Sequence, residues 1–239
     1  MGVMGRIWTV CSGSGGVGKS TVALSLAVGA AAEGYDTILL DMSGISRSCD
    51  LVLGLESAIS LDMMDVLSKQ VKLEAALYSV PRRPNLRFAC AALYDVIPSS
   101  EMAAIVLALH SMCEILVIDL PTGETEAARG IMRAGDERII VSRPDAASVR
   151  AADRLMMRCR GDSAGMSLVV NRILKDRKAS QYTLEAVENT LDRKAIGCIP
   201  EDMSIMLGEK NGKSAIECGG AVRSAFSGIL RQLLSDIGK

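Results

Sequence analysis

Nine consecutive residues, Gly13-Ser14-Gly15-Gly16-Val17-Gly18-Lys19-Ser20-Thr21, satisfy the spacing G-x-x-x-x-G-K-S/T and have the chemistry to hold a phosphate. Glycines let the backbone bend so that several N–H groups and a helix N-terminus face one anion. Lys19 adds a point charge, and Ser20 offers a hydroxyl to Mg²⁺. A glycine-rich turn without a ligand would leave Lys19 uncompensated at the positive end of a helix, which argues against that plainer reading.

The motif works only between a strand and a helix, and the flanking sequence supplies both. Residues 6–10 read as a short apolar strand and residues 21–32 as an apolar helix. Further short apolar runs bounded by polar or turn residues lie at 37–40, 115–118, 138–141, 167–170 and 195–199, with helix-length segments between them. Strands alternating with helices at this pace predict an α/β, doubly wound, mostly parallel sheet with helices on both faces. Such sheets place ligands beyond the carboxyl ends of their strands. Asp41, Asp119 and Asn171 each follow one of the runs, so they are expected to converge with Lys19 at one edge. Asp119, after four apolar residues, has the position of a Walker B carboxylate holding Mg²⁺ opposite Ser20. A helix N-cap is its alternative role, since Pro121 and Glu124 follow and a helix could begin near Thr125. Asp41 lies across from the glycine loop and is expected to contact the metal or its water, and could also cap a turn.

The 239 residues, rich in Ala, Val, Leu, Ile and Met, fit a single P-loop domain over 1–239. A formal net charge of -1 calls for neither nucleic acid nor an acidic membrane. The longest nearly apolar stretch, 22–32, is well short of the roughly 20 residues that span a bilayer, and the N-terminus shows no secretory h-region. A cytoplasmic protein is expected. Seven scattered cysteines form no C-x-x-C pair, which gives zinc or cluster ligation no local support and predicts buried thiols.

With these residues in view, the chain resembles the MinD/ParA ATPases, nearest their MinD branch. The resemblance rests on residues 15–21, Leu39-Leu40-Asp41, residues 50–56 and Ile199-Pro200-Glu201-Asp202, and spans nearly the whole chain. Residues 119–123 resemble the family's D-x-P-A-G switch, and Arg143-Pro144-Asp145 with Ser148-Val149-Arg150 its N-P-E and S-V-R segments. The resemblance implies an ATPase that dimerises face to face around two ATP molecules. It implies Gly15, Gly16, Val17, Gly18, Lys19, Ser20 and Thr21 at the phosphates, with Lys19, Asp41 and Asp119 as the catalytic set and Ser20, Asp41 and Asp119 at Mg²⁺. Asn171 would meet the adenine edge, where an amide donates and accepts together, with Arg172 stacking nearby and Pro200, Glu201 and Asp202 lining the base.

Two positions depart from the family pattern. Its signature lysine, which reaches across the dimer to the partner's phosphates, falls at Ser14, and its D-x-D carboxylate falls at Ser43. Losing a cation and a water-orienting carboxylate predicts ATP binding with slow hydrolysis. Arg47 and Arg143 are candidates for a replacement cation.

Four surface-type features have plain readings. Arg172, Lys175, Arg177 and Lys178 read as a solvated loop rather than a nucleic-acid or lipid contact. The apolar stripe Ala221, Val222, Ala225, Phe226, Ile229, Leu230, Leu233, Leu234 and Ile237 suits a membrane-surface helix but better suits core packing, with the chain ending at Gly238-Lys239 before any separate anchor. Met63, Met64, Met156 and Met157 read as core, and His110 as a favourable helix-ending residue. The function expected is a MinD-like spatial regulator for cell division or organelle placement, an ATP- and Mg²⁺-dependent dimer switch acting as homodimer or with a paralogue. The alternative is a hydrolysis-impaired ATP-bound scaffold of a pilus or secretion system. An iron–sulfur carrier lacks its paired cysteines.

Overall fold

The computed structural model describes residues 5–44, 48–91, 99–123, 126–174, 176 and 180–235. Arg47, Glu124, Thr125, Lys175, Arg177, Lys178, Ile237, Gly238 and Lys239, all named above, lie outside the described residues.

The elements run β1 (Arg6–Cys11), α1 (Lys19–Ala32), β2 (Thr37–Asp41), α2 (Cys49–Leu53), α3 (Met63–Leu67), β3 (Tyr78–Ser79), β4 (Leu86–Cys90) and α4 (Ser99–His110). They continue with β5 (Ile115–Asp119), α5 (Glu126–Ala134), β6 (Glu137–Ser142), α6 (Ala146–Arg158), β7 (Gly165–Ile173), α7 (Leu184–Leu191), β8 (Ala195–Pro200), α8 (Met203–Lys210) and α9 (Gly220–Ser235). One eight-stranded sheet has the order β3-β4-β2-β5-β1-β6-β7-β8. Every neighbouring pair is parallel except β3 with β4. The doubly wound α/β sheet expected from the sequence is therefore present.

Strand residues alternate between two faces, and both faces are apolar. Trp8, Val10, Leu39, Ile115 and Val117 pack with α1 and α9, while Ile7, Cys11, Ile38, Leu40, Leu116 and Ile118 pack under α4, α5 and α6. In α9, Val222, Phe226, Ile229, Leu230 and Leu233 are buried, so the C-terminal stripe is a core face. Gly197 shows how closely α9 lies on β8: a Cβ there would sit 2.3 Å from Ile229 Cγ1.

Three plain readings need correction. Met63 and Met156 are buried and Met64 packs against the core, but Met157 is 53% exposed, because it follows Met156 on the outer side of α6. Cys198 is exposed on the edge strand β8 and Cys113 is half-buried, whereas the other five thiols are buried. Asp119 is not a helix cap: it ends β5, and its carboxylate accepts from Lys19 Nζ.

Candidate functional site

β1 is flanked by β5 and β6, so the loop leaving it rises at the point where the strand order diverges. That loop turns into α1 through Gly18, whose φ of +89° is left-handed backbone that glycine adopts without strain. The N-terminus of α1 has no side-chain cap and no acidic residue in its first turn. Its first N–H groups are consequently left for an external acceptor. A Cβ at Gly18 would lie 2.1 Å from Asn171 Nδ2, so the loop is packed directly onto β7 as well as being conformationally restricted.

Asp41 and Asp119 are register partners across β2 and β5, which sets the two carboxylates side by side at the carboxyl edge of the sheet. Both are fully buried. Lys19, itself only 7% exposed, reaches Asp119 Oδ1 with Nζ at 3.1 Å. Burial pushes the Asp119 carboxyl up to about 6; Lys19 and the Ser20 hydroxyl pull it down and Asp41 raises it further. Asp119 Oδ2 and Asp41 Oδ2 are buried without any hydrogen-bond donor. Two buried carboxylate oxygens, a nearby hydroxyl and a single lysine form a set short of positive charge, and Mg²⁺ satisfies such oxygen donors.

Ser43 contributes to this set indirectly. Its N–H and its hydroxyl both donate to Asp41 Oδ1, at 2.8 and 2.6 Å, and fix the Asp41 carboxylate. Sequence reasoning missed Cys49, whose thiol sits with Asp41 and Asp119 in a cluster of donor atoms within 4.8 Å of one another. Burial pushes that thiol well above its ordinary range, with the two aspartates adding to the rise, so it stays protonated and is a poor ligand for a hard cation. No periodicity in the sequence links it to the ends of the two strands.

A cavity of about 450 Å³ opens onto these groups, lined by Ser14, Gly16, Val17, Gly18, Lys19, Ser20, Thr21, Ser43 and Arg172, with Ser12, Pro121 and Thr122 completing it. Gly15 is exposed beside it. Thr21 turns its hydroxyl to Glu209 Oε1 at 3.0 Å, tying α1 to α8. Asn171 lies within β7 rather than after it. Its Nδ2 donates to Val17 O at 2.8 Å and its Oδ1 accepts from Arg172 N, so the amide braces the loop. Arg172 holds a left-handed φ of +60° and faces Glu201, with 3.7 Å between Nε and Oε2. Asp202 accepts from Ser204 N at 2.9 Å and caps α8. Pro200 ends β8 and pairs in register with Ile173 of β7, and Glu201 and Asp202 follow it, but none of the three lines the 450 Å³ cavity. Arg143 pairs with Asp145 at 3.2 Å.

Comparison with known proteins agrees with this arrangement. The ParA family model, described as NUBPL iron-transfer P-loop NTPase, matches residues 4–234. The septum site-determining protein MinD of Synechocystis sp. is 34% identical over 96% of this chain and 90% of its own length. The Helicobacter pylori MinD is 28% identical over 98% and 92%. Among solved structures, the MinC:MinD cell division protein complex of Aquifex aeolicus superposes with a TM-score of 0.88 at 27% identity, covering 96% of each chain. The Pyrococcus horikoshii MinD solved with Mg-ADP shares the fold, with a TM-score of 0.86 at 24% identity over 98% of each chain. The loop between β1 and α1, the paired strand-end aspartates and these similarities agree: the chain belongs to the MinD/ParA family of P-loop ATPases, alongside the septum site-determining proteins.

Proposed function

We propose that this chain binds ATP with Mg²⁺ and acts as a nucleotide-switched dimer in spatial regulation of division, with slow hydrolysis. The observation that carries the reading is the pair of buried, donorless oxygens of Asp41 and Asp119 beside Lys19, at the mouth of an uncapped helix N-terminus. The main-chain N–H groups of residues 15–21 and the Lys19 ammonium would bind the phosphates. The Ser20 hydroxyl and the carboxylates of Asp41 and Asp119 would hold Mg²⁺, directly or through water, and the cation would supply charge neutralisation at the phosphates. Asn171, Arg172 and the Pro200-Glu201-Asp202 segment form the base side of the proposal.

Slow hydrolysis follows from Ser14 and Ser43. Ser14 lines the cavity but carries no charge to present to a second copy's phosphates. The Ser43 hydroxyl is committed to Asp41 at 2.6 Å, so it neither takes a proton nor orients water as a second carboxylate would. Removing one such electrostatic contribution typically costs about 3 kcal/mol of transition-state stabilisation. The same two residues favour the alternative, an ATP-occupied scaffold with relaxed turnover. Iron transfer, named in the family description, has little support in the residues: Cys198 is the one exposed thiol and has no cysteine partner at C-x-x-C spacing.

The test is ATP turnover measured beside ATP-dependent dimerisation by light scattering, with Mg²⁺, with and without anionic vesicles. No helix among the described residues is long and apolar enough to cross a membrane, so any vesicle effect would report peripheral contact. An ATP-dependent dimer whose turnover rises on vesicles supports the regulator, and binding without turnover supports the scaffold. The double substitution Ser14→Lys with Ser43→Asp should raise turnover at least tenfold, on the order of 1.4 kcal/mol. An unchanged rate would place the deficit elsewhere.

A further inference from the structure

A second cavity lies away from the phosphate loop. It is a cleft of about 790 Å³ at the opposite end of α1, between the last turn of that helix, α9 and the turn that leads into β4. A helix of this length separates it from Lys19 by roughly 20 Å. Four arginines, Arg82, Arg83, Arg223 and Arg231, line it against two carboxylates, Glu33 and Glu217. The lining is therefore left two positive charges in excess. Its floor is apolar, made in part by Leu230 and Leu234.

The arginines fall into two kinds. Arg83 and Arg223 are anchored: Arg83 Nη2 donates to Glu217 Oε2 at 2.7 Å and Gly212 O at 3.0 Å, and Arg223 donates to the carbonyls of Cys218 and Glu217 at 3.0 Å each. Arg83 Nε is nevertheless buried without an acceptor. Arg82 and Arg231 are exposed, and no hydrogen bond or ion pair to a described residue holds either of them. Arg82 also occupies an unfavourable backbone position. It follows Pro81 in a turn closed by Arg83 N donating to Val80 O at 3.1 Å, and its φ of +64° is the left-handed value such turns reserve for glycine. An arginine at a glycine position, without a partner in its own chain, is not explained by stability.

We propose that this cleft binds a small organic anion, a carboxylate or phosphate head on an apolar body, as a second ligand distinct from the nucleotide. Planar guanidinium groups recognise such heads through paired hydrogen bonds, which a cluster of arginines supplies better than lysines. The volume falls in the range of sites for small molecules, about 300–1,000 Å³, and the leucine floor accepts a hydrocarbon or ring body.

Titration of the full chain without nucleotide with the fluorescent anion anilinonaphthalene sulfonate, followed by displacement with laurate, tests this. A saturable one-to-one signal that laurate displaces and inorganic phosphate alone does not is the expected result. Arg82→Gly suits the local backbone, so it should leave thermal unfolding unchanged or raise it while weakening both probes at least fivefold. Adding Arg231→Gln should bring the loss to at least 20-fold. Lys19→Ala should retain probe binding, which separates this site from the nucleotide site. Unchanged affinity in the double variant, or binding to anionic vesicles with no displacement by laurate, would overturn the proposal, the latter in favour of a membrane contact.

Discussion

Lys19→Ala should raise the dissociation constant for ATP at least 100-fold, measured by calorimetric titration with Mg²⁺. A single charge-assisted contact contributes about 1.5–3 kcal/mol, and among the described residues Lys19 supplies the only ion pair to the buried Asp41–Asp119 pair. The same change should lower stability by about 3–5 kcal/mol near neutral pH, since it leaves buried carboxylates uncompensated. The pH dependence gives the sign. Burial already places the Asp119 carboxyl at about 6, above its unfolded value of 3.8. The folded state therefore binds the extra proton between those values, and stability falls as pH rises through them, by about 3 kcal/mol in total. Without Lys19 the carboxyl rises further, so the difference in unfolding free energy between pH 5 and pH 8 should widen. Lys19→Ala with Asp119→Asn should recover most of the stability at pH 8 and none of the ATP affinity. Retained micromolar ATP binding in Lys19→Ala would refute the assignment of the loop.

What the sequence made legible follows from how each residue earns its position. β1, β2, β5, β6, β7 and β8 are apolar on both faces because helices cover the sheet on both sides, and a run of that kind is visible without any structure. β4 was hidden by Arg87 at its centre, which is one-quarter exposed and reaches out to Asp36 at 2.9 Å, so a strand in the middle of one half of the sheet carries a charged residue. β3 has two residues and leaves no periodic trace. Asp41 and Asp119 could be found because each ends an apolar strand, and parallel register then sets them side by side. Cys49 could not, since no period in the sequence links it to the strand ends. Ser43 was legible as a missing carboxylate, but its hydrogen bonds to Asp41, which turn it into a positioning group, belong to tertiary geometry. The cleft at the far end of α1 joins residues from three separate segments, and only the packing of α9 against α1 assembles it.

Gly13→Ala is expected to be among the most damaging single-methyl additions in the phosphate loop. A Cβ at residue 13 would lie 2.2 Å from Ala151 O and 2.4 Å from Ala151 C, the main chain of α6. That helix cannot easily give way. Its N-terminus is fixed by Asp145, which accepts from Ser148 N at 2.9 Å, and its inner face, with Val149, Ala152 and Leu155, is buried. Relief must come from moving the loop or the helix backbone, at about 3 kcal/mol or more. At 2–4 °C per kcal/mol for a chain of this size, the unfolding midpoint should fall by roughly 10 °C. Gly16→Ala is the control. Its φ of +70° imposes about 1 kcal/mol of backbone strain, but nothing lies within 4 Å of the new Cβ, so a fall of about 3 °C is expected. Both variants should weaken ATP binding, since Gly16 lines the cavity, but displacing the start of the loop moves every N–H group that follows it, whereas Gly16→Ala adds one methyl at the cavity wall. Equal midpoints for the two alanines would mean that the contact between the loop and α6 is looser than its geometry requires. Unequal midpoints with a larger loss of ATP affinity in Gly13→Ala would show that α6 holds the phosphate loop in its binding geometry.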